Sequence, residues 1–204
     1  MEENTQDFYE DSRYVLEAVE KELLLRVELM RRYFVLKGDR DPVEHCKSRI
    51  KSSQSMVNKL KTKGLPVNIE SALTQVYDAV GIRIVCLFID DVYQMVDMIK
   101  RQEDIQIVRE KDYIAQPKQN GYRSYHIIIS IPIHMPDCTK SMFAEIQLRT
   151  IAMDSWAALE HELKYKHTIQ NMDMLVSELK RCSDEMASTD LTMQTIRQII
   201  NNSK

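Results

Sequence analysis

The stretch 112-DYIAQPKQNGYRSYHIIISIPI-133 passes from a turn crowded with Gln, Pro, Lys, Asn and Gly straight into a run of isoleucines. The second half is β-branched and alternating, the composition of a strand packed on at least one face. The first half holds more than a turn requires. A tight corner needs only Asn120-Gly121, the pair that tolerates positive φ. Yet Lys118, Arg123 and His126, with Tyr122 and Tyr125, crowd the same corner in a chain of 4 glycines and 5 prolines. Cations set beside aromatic rings suit a ligand that is both anionic and aromatic.

Working outward, IQIVREKDYI (105–114) and MFAEIQLR (142–149) read as strands flanking this one, and GIRIVCLF (81–88) as a central strand. A further short strand covers about 43–51. The spacing of Leu16, Val19, Leu23, Val27, Met30 and Phe34 predicts a long amphipathic helix over about 7–37, ended by Gly38. Shorter helices follow at about 53–63 behind a serine cap, at 69–77 and at 89–103, where acidic residues open the first turn. Two more helices, 151–166 and about 171–201, close the chain. The expectation is an α+β fold of one domain over 1–204, with a mixed, nucleotidyltransferase-like sheet core at about 41–166. The apolar faces of the two long terminal helices exceed what the sheet can cover, which points to packing between subunits.

Composition narrows the function classes. With 44% hydrophobic and 29% charged residues, the chain has the balance of a globular cytoplasmic protein. The polar, acidic beginning MEENTQDFYEDSR lacks a signal-peptide core, and no apolar run is long enough to span a bilayer. A net charge of −3 excludes a bulk polyanion binder, so DNA is not expected and RNA is not signalled. The four cysteines show no metal-ligand spacing and read as buried reduced thiols. The charge is nevertheless uneven. Between His45 and Ile69 there is no acid, while Lys47, Arg49, Lys51, Lys59, Lys61 and Lys63 all fall there. Lys61 and Lys63 read as a solvated helix face; Arg49, Lys51 and Lys59 suit phosphates.

In 142–149, strand alternation turns Phe143, Glu145, Gln147 and Arg149 to one face. Alone, that is an ordinary solvent-facing strand. Asp78 just before 81–88, and Arg83 within it, add a second carboxylate and another cation. Two carboxylates at strand ends beside several cations suit Mg²⁺ carrying a nucleoside triphosphate. Neither a P-loop nor a Rossmann glycine motif is present, so side chains must grip the phosphates. His45, His134 and His167 have no ligand-like spacing. Trp156, Leu159 and Leu163 read as helical core, with Glu160 and His161 bracing that helix against the sheet.

YDAVGIRIVCLFIDD, KDYIAQPKQNGYRSYH, AEIQLRT and WAALEHELKYK, in that order, resemble the synthetase domain of the RelA/SpoT family, in its small alarmone synthetase form. The resemblance implies transfer of pyrophosphate from ATP to the 3′-hydroxyl of GDP or GTP, giving ppGpp or pppGpp and AMP with Mg²⁺ as cofactor. It implies that Arg49 and Arg83 sandwich adenine, that Lys51, Ser55, Lys59 and Lys111 serve ATP, and that Asp78 binds the metal. Glu145 is implied as catalytic base and second metal ligand. Tyr122 is implied to stack on guanine through its ring, so that loss of its hydroxyl is mild. Lys118, His126 and Gln147 are implied to hold the acceptor nucleotide. The family's hydrolase half carries a His-Asp pair, and no such dipeptide occurs here.

The resemblance further implies a homotetramer. In part of the family a central cleft of that assembly binds the pentaphosphate product and raises activity. The matching positions here are Leu24, Glu28, Arg31, His45, Lys47 and Asp154, which place two carboxylates where phosphates would sit. The chain is therefore closer to the subtype lacking that switch. The rival reading is a catalytically degenerate nucleotide- or RNA-binding regulator of the same fold; intact Asp78 and Glu145 weigh against it.

Overall fold

The computed structural model describes residues 8–165 and 172–203, so the expected helix starts at 7 and 171 lie outside the described residues. After one 3-10 turn, helix α1 runs Arg13–Leu36 and buries Val15, Leu16, Val19, Leu23, Val27 and Met30 along one stripe. Gly38 ends it at φ +83°, where Gly38 N donates to Val35 O and Asp39 N to Phe34 O. A left-handed residue just past the helix satisfies orphan carbonyls in this way.

Strand β1 (Val43–Ile50) leads into helix α2 (Ser53–Thr62), whose cap is Ser52 accepting from Ser55 N. Helix α3 (Ile69–Thr74) stops short of its expected end at 77. Strand β2 (Val80–Cys86), helix α4 (Ile89–Lys100), strands β3 (Gln106–Asp112), β4 (Tyr125–His134) and β5 (Thr139–Thr150), and helices α5 (Ile151–Tyr165) and α6 (Met172–Asn202) complete the described fold.

The five strands form one sheet in the order β1-β2-β5-β4-β3, in which β2 and β5 are parallel and every other pair is antiparallel. The sheet is therefore mixed, as expected. β2 is interior, as expected of a central strand, lying between the edge strand β1 and β5, which takes the middle of the sheet. Pro132 sits in β4 beyond the last β3 partner, Ser130, where the missing N–H breaks no ladder bond to that neighbour.

Ile82, Ile84, Ile127, Ile129, Ile131, Ala144, Ile146 and Leu148 are all buried on one face of the sheet, under α1 and α4. A fully buried isoleucine contributes roughly 1.5–3 kcal/mol of transfer free energy, so this face fixes the register. The opposite face is left for chemistry. Register then lines up two rows across the strands. One holds Lys47, Arg83, Gln147, His126 and Lys111; the next holds Arg49, Gly81, Glu145, Ile128 and Arg109.

Two expectations about helices and thiols change. Leu159 and Leu163 are exposed, at 58% and 46%, because among the described side chains α5 turns only Met153 and Trp156 fully inward; Trp156 Nε1 donates to Leu179 O of α6. Cys86 is buried and Cys46 half-buried, but Cys138 and Cys182 are exposed; all four are free. No helix among the described residues is long and apolar enough to cross a membrane.

Candidate active site

Two cavities open on the polar face of the sheet, and Glu145 lines both. The first, about 200 Å³, is walled by Lys47, Arg49, Asp78, Gly81, Arg83, Glu145 and Gln147. The second, about 280 Å³, is walled by Arg109, Lys111, Tyr113, Lys118, His126 and Glu145. The two rows of the register explain this division. Strands β1 and β2 supply the first cavity, β3 and β4 the second, and β5 between them carries the shared carboxylate.

In the first cavity the Arg49 side chain passes over Gly81, where a Cβ would lie 3.6 Å from Arg49 Cγ, an ordinary van der Waals contact. Burial, then the neighbouring charge of Arg149, lowers the pKa of Arg83; Asp154, 3.2 Å from Arg83 Nη1, opposes the shift. Asp78 follows α3 and meets two lysines from the far side: Lys59 Nζ at 2.5 Å and Lys51 Nζ at 3.2 Å, both on Oδ2. Burial on its own would raise the Asp78 pKa, but the Lys59 hydrogen bond and the Lys51 charge hold it below the usual carboxylate value. Its Oδ1 is buried without a hydrogen-bond partner among the described residues. Ser55 lies in the first turn of α2, its hydroxyl within 2.9 Å of the Ser52 hydroxyl.

In the second cavity Lys118 Nζ lies 4.8 Å from the Tyr113 ring and 4.7 Å from the Tyr122 ring. His126 Nδ1 is 3.0 Å from Glu145 Oε1, and Gln147 Nε2 donates to Glu145 Oε2 at 2.9 Å. Burial would raise the Glu145 pKa, but the contact with His126 holds it low. The carboxylate is thus ionised at neutral pH and oriented from both sides.

A buried acceptor without a partner on Asp78, beside a second ionised carboxylate in the same cavity, fits a divalent cation that keeps substrate phosphates among its ligands. A closed protein cage is absent: no group of three or more candidate ligands occurs among the described residues.

Of the expected site residues, Arg49, Asp78, Arg83, Glu145 and Gln147 line the first cavity and Lys111, Lys118, His126 and Glu145 the second, while Lys51 and Lys59 reach Asp78. Gln147, expected beside the acceptor, therefore borders the first cavity and also touches Glu145. Lys111, expected on the ATP side, lines the second cavity, because it pairs with His126 across β3 and β4. Tyr122 also differs from the ring-only reading. Its hydroxyl accepts from Arg149 Nη2 at 2.8 Å and sits 2.8 Å from His126 Nε2. Arg123 faces away from both cavities, donating to Ser183 Oγ and Asp184 Oδ1 of α6. At the corner only Gly121 has positive φ, +90°; Asn120 instead accepts from Tyr122 N and donates to Glu160 Oε1. A Cβ on Gly121 would lie 2.7 Å from Ser183 Cβ, so α6 also holds the corner in place.

Three further residues join the site in the structure: Arg109 and Tyr113 line the second cavity, and Arg149 holds Tyr122. Strand alternation had already put Arg149 on the face of Glu145. Arg109 and Tyr113 needed the β3–β4 register, which the sequence does not print.

A family model described as a region found in RelA / SpoT proteins matches residues 48–170. The chain is 43% identical over 161 residues to the GTP pyrophosphokinase YwaC of Bacillus subtilis, covering 79% of this chain and 77% of that one. Its structure is similar to that of small alarmone synthetase 2 from Bacillus subtilis, with a TM-score of 0.81 and 39% identity over 91% of this chain and 95% of that one. Small alarmone synthetase 1 of the same organism, solved with its product pppGpp, gives a TM-score of 0.82 and 31% identity, covering 93% and 97%.

Proposed function

The chain belongs to the RelA/SpoT family, and from that premise we propose that it is a (p)ppGpp synthetase, transferring pyrophosphate from ATP to the 3′-hydroxyl of GDP or GTP. The observation that carries this reading is the shared wall. One ionised carboxylate, Glu145, borders a cavity lined by Arg49, Arg83 and Asp78 and another lined by Lys111, Lys118 and His126. Two anionic substrates held on either side meet at a single base.

Arg49 and Arg83 offer planar guanidinium faces for the donor base, with Lys51, Lys59 and Ser55 along the triphosphate. Lys51 and Lys59 now neutralise Asp78 and pass to the phosphates when ATP enters. Tyr122 offers a stacking face for guanine, and Lys118, Lys111 and Arg109 supply charge for the acceptor's 5′ phosphates. In the reaction the acceptor 3′-oxygen attacks the β-phosphorus of ATP. The bond from that phosphorus to the oxygen bridging the α-phosphate breaks, AMP departs, and the acceptor's proton passes to Glu145. Asp78 and Glu145 would hold Mg²⁺, which when bound neutralises the triphosphate charge. The test is to incubate the protein with ATP labelled at the γ-phosphate and GDP, GTP or tRNA. Label in ppGpp or pppGpp with release of AMP is expected; label only in tRNA, or none, would sink the reading.

The assembly we infer is a homotetramer, in which the outward Leu25, Leu29, Tyr33 and Leu36 of α1, and Leu191, Met193, Ile196 and Ile199 of α6, find cover. Stimulation by pentaphosphate is not expected. Of the positions matching the activating cleft, Arg31 is paired with Asp41 at 2.7 Å, Glu28 remains a carboxylate, and Asp154 adds another. Like charges at contact distance oppose a ligand of five phosphates. A rate titration with added pppGpp should stay flat, whereas several-fold stimulation at micromolar concentration would show that the cleft still works.

A further inference from the structure

The corner at 118–122 is closed by its own backbone but aimed by a distant helix. Gly121 N donates to Lys118 O at 2.8 Å, and Lys118 N to Tyr122 O at 3.1 Å. These bonds fix the shape of the turn and leave its direction open, because both ends of each lie within it. On the sheet side Arg149 Nη2 reaches the Tyr122 hydroxyl at 2.8 Å and Gln147 Oε1 at 3.0 Å, which holds the far end of the ring. The backbone end rests on α6.

That contact begins with one residue out of pattern. α6 turns Leu179, Ser183, Met186, Ala187 and Asp190 towards the body of the fold, a stripe at three- and four-residue steps. The serine in this stripe is 4% exposed, and a buried hydroxyl needs partners. It finds them at the corner. Ser183 Oγ accepts from Arg123 Nη1 at 2.6 Å and donates to Gly121 O at 2.5 Å. A guanidinium can only donate, so the hydroxyl proton is left for the carbonyl. Arg123 Nη1 also reaches Gly121 O at 3.3 Å, while Nη2 donates to Asp184 Oδ1 at 2.9 Å.

Shape adds an independent sign of the same approach. Gly121 has φ +90°, and a Cβ there would lie 2.7 Å from Ser183 Cβ and 3.0 Å from Lys180 Cα. A turn that merely passed near the helix would leave room for a methyl group. The helix is itself pinned on both sides of Ser183. Trp156 Nε1 of α5 donates to Leu179 O, and Thr150 Oγ1 donates to Asp190 Oδ2 at 2.5 Å. Thr150 ends β5, so the support of the corner is tied to the strand that carries Glu145.

We propose that Ser183 and Arg123 are positioning residues for the acceptor nucleotide. Through Gly121 they hold the corner so that Lys118 faces the second cavity with the Tyr122 ring 4.7 Å from its ammonium group. Neither residue lines either cavity; both act through the backbone of the turn. This assignment deepens the reading above and rests on it for the identity of the acceptor.

Two measurements test it, and the first needs neither substrate nor activity. Backbone hydrogen exchange is compared in the wild type, Ser183→Ala and Arg123→Lys. The first variant deletes the hydroxyl alone; the second keeps the charge and loses the fork. The amides of Gly121 and Tyr122 should exchange about 10-fold faster in Ser183→Ala, the scale of one or two lost hydrogen bonds, while Ile127 and Ile129 in β4 keep their protection. Unchanged exchange at the corner would overturn the proposal. Where Ser183→Ala loses protection throughout the sheet, Arg123→Lys decides by the same comparison.

The second measurement is steady-state kinetics of the same variants. Acceptor KM should rise about 10-fold as the stacking face moves, with affinity for a non-hydrolysable ATP analogue held. An acceptor KM within about twofold of wild type would overturn the assignment. So would equal losses on both substrates that track a lowered melting temperature, since the helix contact would then be structural only. Should the wild type make no alarmone, the exchange arm still decides whether α6 aims the corner, so the two failures stay distinct.

Discussion

Glu145→Gln should cut alarmone synthesis by about 10²–10⁴-fold, the range typical for loss of a positioned general base. The swap barely changes volume, yet it removes the only anion common to both cavities. It also collides with the local hydrogen bonding. Glu145 accepts from His126 on one oxygen and from Gln147 on the other, while an amide at 145 presents one acceptor and one donor. One of these contacts must become donor against donor, unless His126 changes tautomer or Gln147 turns away from Arg149. The mutant should therefore fold and bind an ATP analogue but hold its acceptor less accurately. Product formation, measured beside calorimetric binding of the analogue, checks both halves. Turnover within tenfold of wild type would remove Glu145 from the mechanism. The sign of the pH effect follows from its lowered pKa. The working form is deprotonated, so this group should not limit the rate until the pH falls below the ordinary carboxylate range.

Most of this site could be read along the chain because its residues sit at fixed strand intervals. Glu145, Gln147 and Arg149 share a face by alternation alone, and the Lys118–His126 corner advertised its cations and rings. What could not be read is pairing between strands distant in sequence. The position of Lys111 depends on its register opposite His126, and that register is set by which isoleucines of β4 are buried. The same gap hides which of the interior strands takes the middle of the sheet. Nothing local distinguishes an interior strand next to an edge strand from the middle one, and it is the insertion of β5 beside β2 that decides.

Helix faces failed for a different reason. Leu159 and Leu163 fit a helical core pattern, but α5 lies against α6 and the sheet with only part of its circumference, and the leucines fall outside that contact. Periodicity gives a stripe; it does not say what covers it. The turn at Asn120-Gly121 shows the limit of local rules most plainly. Positive φ was expected from the pair, yet Gly121 alone adopts it. Asn120 is used as a bracket to Glu160, and Gly121 is required by the approach of Ser183 from a helix about sixty residues on.

Asp78→Asn should separate two roles that one carboxylate now fills. Its Oδ2 holds Lys51, largely screened from solvent, and Lys59, about a third exposed, while Oδ1 is buried and unpartnered among the described residues. An asparagine leaves two ammonium groups facing a neutral amide. The free protein should lose about 1–3 kcal/mol, the cost of leaving buried hydrogen-bonding groups unsatisfied. At roughly 2–4 °C per kcal/mol for a chain of this size, the melting temperature falls by several degrees. The pH dependence carries a sign. Asp78 has a lowered pKa, so its stabilisation is present above the ordinary carboxylate value and disappears as pH falls through the lowered one. In the mutant that acid-side loss should be missing. Because the triphosphate supplies new anions to the lysines, a saturating ATP analogue should restore much of the stability gap. It should not restore synthesis, which is expected to fall by about 10²–10³-fold and to need more Mg²⁺ for half-maximal rate, since one of the two carboxylates proposed to hold the cation has become neutral. An unchanged Mg²⁺ requirement, with activity intact, would mean that Asp78 serves only to hold the lysines apart until ATP arrives. A raised requirement with stability rescued by the analogue would show that one oxygen holds the lysines while the other waits for the cation.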